Sequence, residues 1–418
     1  MPMSHDASSL PILPTTVVGS HGIPGWFHVA RAAIARGEFG SSDLEELYAD
    51  ATRLAILDQE NAGIDVLSDG EMRRLHFVQG FYGRLHGLEP LGTARKLGAA
   101  GYDMVPQFRA VERLSLDPEA QDRAPPAAGL GIAEEQVFAR TLTRRPLKIT
   151  CPGPLMLALQ VQPDGGPYRD RFEIAADLAQ IVNAELHRCV DAITASASDP
   201  ASPPVVVQLD DPSFSFHRSG VDAAPSTGDQ DPGPPPVAEL AHFYNRAVAG
   251  LRERGVKLLL HLCFGNFQGR PRTARSYRTL FPGILDAGCD QFVLEFAGRE
   301  MSEVELWQEY AIDRELGAGV VDVKSFYPET AEQVAGRIRR LLEHVPVDKL
   351  WLNPDCGFNH SARWVAAAKL EALAAGARRV REELGMGSAH VSQTPLSTRP
   401  TQAESANRAA GGHVASVA

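Results

Sequence analysis

Four residues in the second half of the chain combine ligand chemistry with a position at the end of an apolar run. His261 and Cys263 are two positions apart in HLCFGN, so on a strand both side chains would point to one face. Glu295 ends the apolar stretch in FVLEF, where a carboxylate needs a partner, and Cys356 stands in NPDCG. Thiolate, imidazole and carboxylate groups all bind zinc, and thiolates favour zinc over hard cations. Together the four residues predict a zinc site, although the H-x-C pair alone would be weak evidence.

The other three cysteines are interpreted as structural. An isolated buried cysteine is usually core filler, which is the interpretation preferred for Cys189 and Cys289. Cys151 opens a CPGP segment whose glycine and prolines predict a turn. Five cysteines in 418 residues are an odd and sparse set, which argues against a disulfide framework and favours a reducing cytoplasm.

Polar side chains at other run ends could bind a substrate. Glu71 and Asp210 could accept hydrogen bonds from an ammonium group, and Ser20 with nearby backbone N–H groups could hold a carboxylate. The alternative for such residues is a salt bridge at the rim of the fold. It carries most weight for Asp211, Arg73 and Arg74.

Bringing these side chains together requires a fold in which the ends of several strands meet. Short apolar or β-branched runs alternate with helical patterns, which is typical of parallel α/β proteins. The eight runs are Thr15–Ser20, Asp65–Asp69, Leu147–Cys151, Val205–Asp210, Lys257–Cys263, Gln291–Phe296, Gly319–Ser325 and Lys349–Asn353. Helices are predicted at Ser42–Asn61, Phe172–Val190, Val237–Arg254, Ala331–Glu343 and Ala362–Glu383. Eight runs predict a single (β/α)8 TIM barrel over residues 1–387, with function at the C-terminal ends of its strands.

Three segments do not fit this alternation. Residues 88–145 have few periodic apolar residues, and residues 196–236 contain two stretches rich in Pro, Ser, Asp and Gly around the fourth run. Both segments are predicted to be long loop insertions. Residues 388–418 are rich in Ser, Thr, Ala and Gln without periodicity, which predicts a disordered C-terminal tail.

Composition narrows the class of protein. Apolar residues make up 44% of the chain, and the net charge is −11 with both signs interspersed. Since no run rich in lysine or arginine occurs, a nucleic-acid partner is not expected. No stretch of about 18 apolar residues occurs, and the N-terminus lacks the features of a secretory signal, so we expect neither a membrane span nor a leader. A small-molecule enzyme fits these limits.

Motifs between about residues 13 and 385 resemble the catalytic C-terminal half of cobalamin-independent methionine synthase. They are LPTTVVGS, DVLSDGE, CPGP, VVQLDDP, HLCFGN, LEF, GAGVVDVKS and NPDCG. In that family the homocysteine thiol binds zinc, loses its proton and attacks the methyl group of a reduced folate. The resemblance therefore implies a cytoplasmic methyltransferase of methionine biosynthesis, similar to 5-methyltetrahydropteroyltriglutamate–homocysteine S-methyltransferase. It matches His261, Cys263, Glu295 and Cys356 to metal ligands, and Ser20, Glu71 and Asp210 to positions that hold the amino-acid part of the thiol.

The sequence departs from the family where the methyl donor should act. The family motif DIHS, whose histidine is thought to relay a proton, is DVKS here, with Lys324 in its place. We predict that Lys324 is a general acid, with a pKa lowered toward neutrality by the metal and Arg73, and that Asp210 is a second catalytic residue. The alternative for Lys324 is a salt bridge to Asp322 or a neighbouring carboxylate.

Alternatives remain open for the methyl donor and for the class of reaction. Family synthases have a second, N-terminal half that helps to grip the folate, and we expect no room for it in this chain. The donor is left open between a folate, a methylated corrinoid protein and another small molecule. One alternative is an epoxide-opening enzyme that resembles epoxyalkane:coenzyme M transferase, in which Lys324, Arg73 or Arg74 would bind an anionic thiol or protonate the alkoxide. Another is a non-catalytic zinc- or thiol-binding protein. The oligomeric state is also open.

Overall fold

The structure is a computed structural model that describes residues 10–74, 76–98, 101–119, 128–163, 166–196, 205–219, 235–266, 270–271 and 273–385. Its strands are β1 (Leu85–Gly98), β2 (Gly101–Leu116), β3 (Lys148–Pro152), β4 (Val161–Gln162), β5 (Val206–Asp210), β6 (Lys257–Leu262), β7 (Gln291–Leu294), β8 (Glu315–Val321) and β9 (Leu350–Pro354). Strands β3, β5, β6, β7, β8 and β9 form one parallel sheet in that order.

Two short extended segments close this sheet into a barrel. Thr15 pairs with β9, Thr16 pairs with Val66, and Leu67 pairs with Leu147, all in parallel. Eight parallel segments within the described residues therefore form a ring, which confirms the predicted TIM barrel. Strands β3, β5, β7 and β9 are buried along their whole length, as expected for strands covered on both faces.

The seventh strand is displaced from its predicted position. It was expected at Gly319–Ser325, but β8 ends at Val321, and the residues that follow form the loop that carries Lys324. Glycines weaken the sequence signal of this strand, and close packing accounts for Gly317. A Cβ atom there would lie 2.8 Å from Asn353 Oδ1.

Helices cover the outside of the barrel. They are α1 (Gly25–Ala35), α2 (Ser41–Ala62), α3 (Gln79–Tyr82), α4 (Ile132–Arg140), α5 (Pro154–Ala158), α6 (Arg171–Ser196), α7 (Ser213–Ser219), α8 (Val237–Ala247), α9 (Leu306–Glu309), α10 (Ala331–Leu342) and α11 (Arg363–Glu383). The predicted helices correspond to α2, α6, α8, α10 and α11, except that α8 stops at Ala247 and a separate 3-10 helix covers Arg252–Arg254. None of the described helices is long and apolar enough to cross a bilayer.

The segment 88–145 differs from the predicted loop insertion. Strands β1 and β2 pair as a long antiparallel hairpin, and α4 follows them. The hairpin is attached to the barrel because β2 pairs with β4, and Phe108 N donates to Gln160 O at 2.9 Å. Much of the predicted insertion 196–236 and the whole predicted tail 388–418 lie outside the described residues.

Candidate active site

A cavity of about 240 Å3 lies among the C-terminal ends of the barrel strands, the usual position of a TIM-barrel active site. Its lining includes six of the predicted site residues: Ser20, Glu71, Asp210, His261, Cys263 and Cys356. Glu295 and Lys324 are not among its lining residues. The barrel therefore brings the predicted metal residues and the predicted substrate residues to one cavity.

Three of the predicted metal ligands form a compact group. His261 lies in β6, Cys263 follows that strand directly, and Cys356 follows β9. One ligand atom from each of the three lies within 4.8 Å of the others. His261 and Cys263 are buried, and Cys356 is partly exposed to the cavity. This group has the nitrogen and sulfur donors, and the proximity, that a metal ion requires.

The two thiols lie within hydrogen-bonding distance of each other. Their sulfur atoms are 3.9 Å apart. The hydrogen bond from Cys263, with His261 and Lys324 nearby, holds the pKa of Cys356 well below its ordinary value despite burial. The same hydrogen bond and burial raise the pKa of the Cys263 thiol well above its ordinary value. A thiolate, the form that binds metals, is therefore already favoured at Cys356.

The fourth predicted ligand, Glu295, is not part of that compact group. Its side chain is completely buried, and its Oε2 accepts hydrogen bonds from Lys324 Nζ at 2.9 Å and from Phe264 N at 3.3 Å. The salt bridge considered as the alternative for Lys324 is thus formed with Glu295. Asp322 accepts only from the backbone N–H of Lys324, at 2.8 Å.

Without a metal ion, the pKa of Lys324 is raised, which is opposite to the shift predicted for a lysine beside zinc. Burial by itself lowers this pKa, but the carboxylate of Glu295 and the sulfur of Cys356 raise it by more. The general-acid role of Lys324 stays a prediction. In this structure it lacks both the lowered pKa and a place in the cavity lining.

Two buried atoms of the predicted metal ligands have no hydrogen-bond partner. His261 Nδ1 donates to Val293 O at 3.0 Å, if the ring carries its proton on that nitrogen, and Nε2 then has no hydrogen-bond partner. Glu295 Oε1 is also buried without a partner. Since buried polar atoms are normally paired, both atoms are suited to bind a cation. The donor set of imidazole, thiols and carboxylate fits a borderline dication, and the Val293 carbonyl supplies the outer-shell partner of a histidine ligand.

Glu71, predicted to bind an ammonium group, is held in an uncommon backbone conformation. Its φ of 56° is rare outside glycine, and its N–H donates to Asp69 Oδ1 at 2.9 Å. Its Oε1 accepts from Thr150 Oγ1 at 2.8 Å and lies 3.4 Å from Arg74 Nη1. A Cβ atom at Gly19 would overlap Glu71 Oε1, so glycine is required for this close approach.

A buried polar network orients Asp210 at the end of β5. Its Oδ1 accepts from Gln208 Nε2 at 2.6 Å, and Gln208 Oε1 accepts from Lys148 Nζ at 2.7 Å. Burial raises the pKa of Asp210 to about 7, lowers the pKa of Lys148 to about 7, and raises the pKa of Glu71. A substrate cation placed between the two carboxyl groups would favour their ionised forms.

Ser20 joins the first barrel segment to the loop that carries Cys356. Its carbonyl accepts from Phe358 N at 2.8 Å, and its Oγ accepts from Asn359 N at 3.3 Å. A Cβ atom at Gly357 would overlap Ser20 Oγ, so the glycine of NPDCG permits this contact. The serine hydroxyl is therefore positioned beside the loop that carries Cys356.

A salt bridge at the rim was the alternative interpretation for Arg73, Arg74 and Asp211. Each of these residues has a protein partner in this structure. Arg73 Nη2 lies 2.5 Å from Glu45 Oε1, and Arg74 Nη2 lies 2.7 Å from Glu135 Oε2. Asp211 is buried and accepts from Leu155 N at 3.2 Å, at the start of α5. Three cysteines are buried in the core, as interpreted: Cys151, Cys189 and Cys289.

Sequence reasoning missed several residues that line the cavity. They come from connecting segments and from the hairpin: His76, Pro106, Gln160, Asn266 and His360. Asn266 is the last residue of the quoted motif HLCFGN, and His360 follows NPDCG by three positions, so their place after a strand was a usable signal. Pro106 had none, because the hairpin that carries it was expected to be a loop.

Comparison with known proteins gives the same family as the motifs. The sequence pattern of the family described as cobalamin-independent synthase, catalytic domain, matches residues 13–98 and 132–379. The unmatched stretch between these ranges contains β2, so the hairpin is only partly covered by that pattern.

Relatives match over almost the whole chain. A methionine synthase of Saccharolobus solfataricus is 31% identical over 378 residues, which are 90% of this chain and 97% of the relative. One of Sulfurisphaera tokodaii is 30% identical over 376 residues, 90% and 94% of the two chains. The structure of a B12-independent methionine synthase from Shewanella sp. W3-18-1, in complex with selenomethionine, has a TM-score of 0.68 at 26% identity and covers 89% of this chain and 99% of its own. The chain therefore belongs to the cobalamin-independent methionine synthase family.

Proposed function

We propose that the protein is a zinc-dependent methyltransferase that methylates the sulfur of homocysteine to give methionine. One observation carries the proposal. The group formed by His261, Cys263 and Cys356 lines the same cavity as Glu71 and Asp210, so a thiol and an ammonium group of one small molecule could be bound together. The family to which the chain belongs supports the reaction class.

The zinc ligands in this proposal are His261, Cys263, Glu295 and Cys356. A zinc ion bound there would supply Lewis acidity that lowers the pKa of a substrate thiol, whose thiolate is the better nucleophile. For Glu295 to take part, its unpartnered Oε1 is the available atom, since Oε2 is occupied by Lys324. The Val293 carbonyl would keep His261 in the tautomer that presents Nε2.

The amino-acid part of the substrate is assigned to the other lining residues. Glu71 and Asp210 would bind the ammonium group, which offsets the cost of burying two carboxylates. Ser20 would donate a hydrogen bond to the substrate carboxylate. The related Shewanella structure is described as a selenomethionine complex, and a bound amino acid of that kind supports this assignment.

The methyl donor is proposed to be a folate-type molecule, as the family implies. Release of a tertiary amine from such a donor needs a proton. Lys324 and Asp210 remain the residues predicted from the sequence to be catalytic. Of the two, only Asp210 lines the cavity.

The epoxide-opening alternative has less support, because the cationic side chains that it needs are already paired. It needs a free cation to bind an anionic thiol, but Arg73 pairs with Glu45, Arg74 pairs with Glu135, and Lys324 pairs with Glu295. Each of these cations is already engaged by a carboxylate. We therefore prefer an amino-acid thiol, which needs acceptors rather than a cation at its ammonium end.

The test is a substrate comparison with zinc-loaded protein. Homocysteine should be methylated from a methylated folate or, as a second arm, from a methyl-corrinoid, and metal-free protein should be inactive. A sulfonate thiol offered with an epoxide should give no product. Product formation only in the epoxide assay would contradict the proposal, as would equal activity without metal.

A further inference from the structure

A buried ion pair stands next to the proposed metal ligands. Lys324 Nζ lies 2.9 Å from Glu295 Oε2, and the two side chains are 8% and 0% exposed. Phe264 N donates to the same oxygen at 3.3 Å, so Oε2 is fully engaged. Oε1 of the same carboxylate is buried without a partner.

This arrangement is unusual for a purely structural ion pair. A buried pair repays the cost of desolvation only when the remaining lone pairs are also satisfied. Within the described part of the chain, the pair of Lys369 and Glu329 meets this condition better. Lys369 Nζ donates to Glu329 Oε2 and to Tyr327 O, both at 2.8 Å, and Glu329 Oε1 accepts from Asp322 N at 2.8 Å. In the Lys324 pair, one acceptor is left unused on a carboxylate that is tied to the residue directly after Cys263.

The position of the pair explains which atom is left unused. Phe264 directly follows Cys263, so its hydrogen bond ties Glu295 to the end of β6, from which two other proposed ligands come. Lys324 comes from the loop after β8 and approaches the same oxygen. Both contacts restrain the carboxylate through Oε2 and leave Oε1 available.

The charges of the proposed ligands also favour a cation beside Glu295. Two thiolates, a carboxylate and a neutral imidazole around a dication carry a net negative charge, in a site where the histidine, one cysteine and the glutamate are at most 2% exposed. An ammonium group held at the carboxylate offsets that charge. Outer-shell partners of this kind orient metal ligands and tune the site.

We infer that Lys324 is the positioning residue of the metal centre. It holds Glu295 through Oε2, so that Oε1 is presented to the metal, and it balances the charge of the ligands. The inference rests on the proposed function, since it presupposes a metal at these residues. It assigns Lys324 a role through Glu295, in agreement with its absence from the cavity lining.

The experiment measures metal binding, independently of turnover. Zinc affinity is determined by competition with a chelator, and the ligand set is followed through the absorption bands of the cobalt-substituted protein. Lys324→Met should bind zinc roughly 10- to 100-fold more weakly, with altered cobalt bands. Lys324→Arg keeps the charge and should recover part of the affinity. Lys257→Met breaks the pair of Lys257 with Glu315 at the starts of β6 and β8, the opposite end of the barrel, and should leave both readouts unchanged.

A double mutant separates positioning from a direct effect on the metal. If Lys324 acts through Glu295, then Lys324→Met should add little to the loss caused by Glu295→Gln alone. Unchanged zinc affinity and cobalt bands in Lys324→Met would overturn the inference, and so would fully additive losses. Cys356→Ser distinguishes this failure from that of the proposed function. If it loses the metal while Lys324→Met binds normally, only the inference fails, whereas a wild-type protein that binds no metal refutes both.

Discussion

The cavity has two sides that differ in what holds their side chains. On the metal side, His261, Cys263 and Cys356 stand at or directly after strands β6 and β9. On the loop side, lining residues come from connecting segments and the hairpin: His76, Pro106, Gln160 and His360. Strand pairing fixes the metal side to a common register, whereas each loop-side residue depends on its own tertiary contacts. We expect the metal side, together with Glu71 and Asp210, to determine how the thiol substrate binds and reacts. We expect the loop side to affect how tightly the methyl donor binds.

The largest effect on substrate use is expected at the buried acceptors. Glu71→Ala and Asp210→Ala should each raise the KM for homocysteine, because each removes a partner of a desolvated ammonium group. A loss of roughly 2–5 kcal/mol per pair corresponds to roughly 30- to 4,000-fold. Zinc content should stay at the wild-type level, and Glu45→Ala, at the exposed partner of Arg73, serves as the control. Loss of zinc in either variant would show that the residue binds the metal instead.

The raised pKa of Asp210 predicts a pH dependence of ligand binding. With a pKa of about 7 in the free protein, its carboxylate fraction rises from roughly one-tenth at pH 6 to nine-tenths at pH 8. Because an ammonium group binds the carboxylate form, the affinity for methionine should increase about tenfold over this interval. Calorimetry on metal-free protein avoids the titration of a substrate thiol, since the thioether of methionine has no titrating proton, and comparison with Asp210→Asn separates Asp210 from Lys148 and Glu71. The slope should shrink in Asp210→Asn, and an affinity that falls with rising pH would refute this account of Asp210.

A smaller effect is expected on the loop side. Gln160 Oε1 accepts from Gln79 Nε2 at 3.0 Å, and its carbonyl accepts from Phe108 N of the hairpin. Gln160→Ala removes a side-chain hydrogen bond of about 1 kcal/mol, so the KM for the methyl donor should rise about fivefold. The KM for homocysteine should not change, and Gln308→Ala, far from the cavity lining, is the matched control. A change in the KM for homocysteine alone would contradict the distinction between the two sides of the cavity.

The sequence was sufficient for the barrel and for the residues at strand ends. Seven runs lie at or next to the observed barrel segments, and the three clustered ligands follow from alternation and strand ends alone. The seventh run was placed too far along the chain because Gly317 looks unlike a strand residue until its close neighbours are known. The hairpin was not predicted because its strands lack a clear alternation of apolar and polar residues. Pro106 was missed with it, since Pro106 lies in β2.

Side-chain pairing could not be predicted. The sequence indicated that Lys324 and Glu295 follow neighbouring strands, but not that Lys324 Nζ would take one oxygen of Glu295. That choice depends on rotamers and on Phe264 N–H. It also reverses the direction of the pKa shift, because the nearest charge to Lys324 is a carboxylate.

The central claim is that His261, Cys263, Glu295 and Cys356 bind one zinc ion. Its most direct test is the zinc content of the purified protein, measured by elemental analysis for the wild type and single cysteine variants. The wild type and Cys289→Ser, a buried cysteine of the core, should hold about one zinc per chain. Cys263→Ser and Cys356→Ser should lose most of it. Full retention of zinc in both of these variants would contradict the claim.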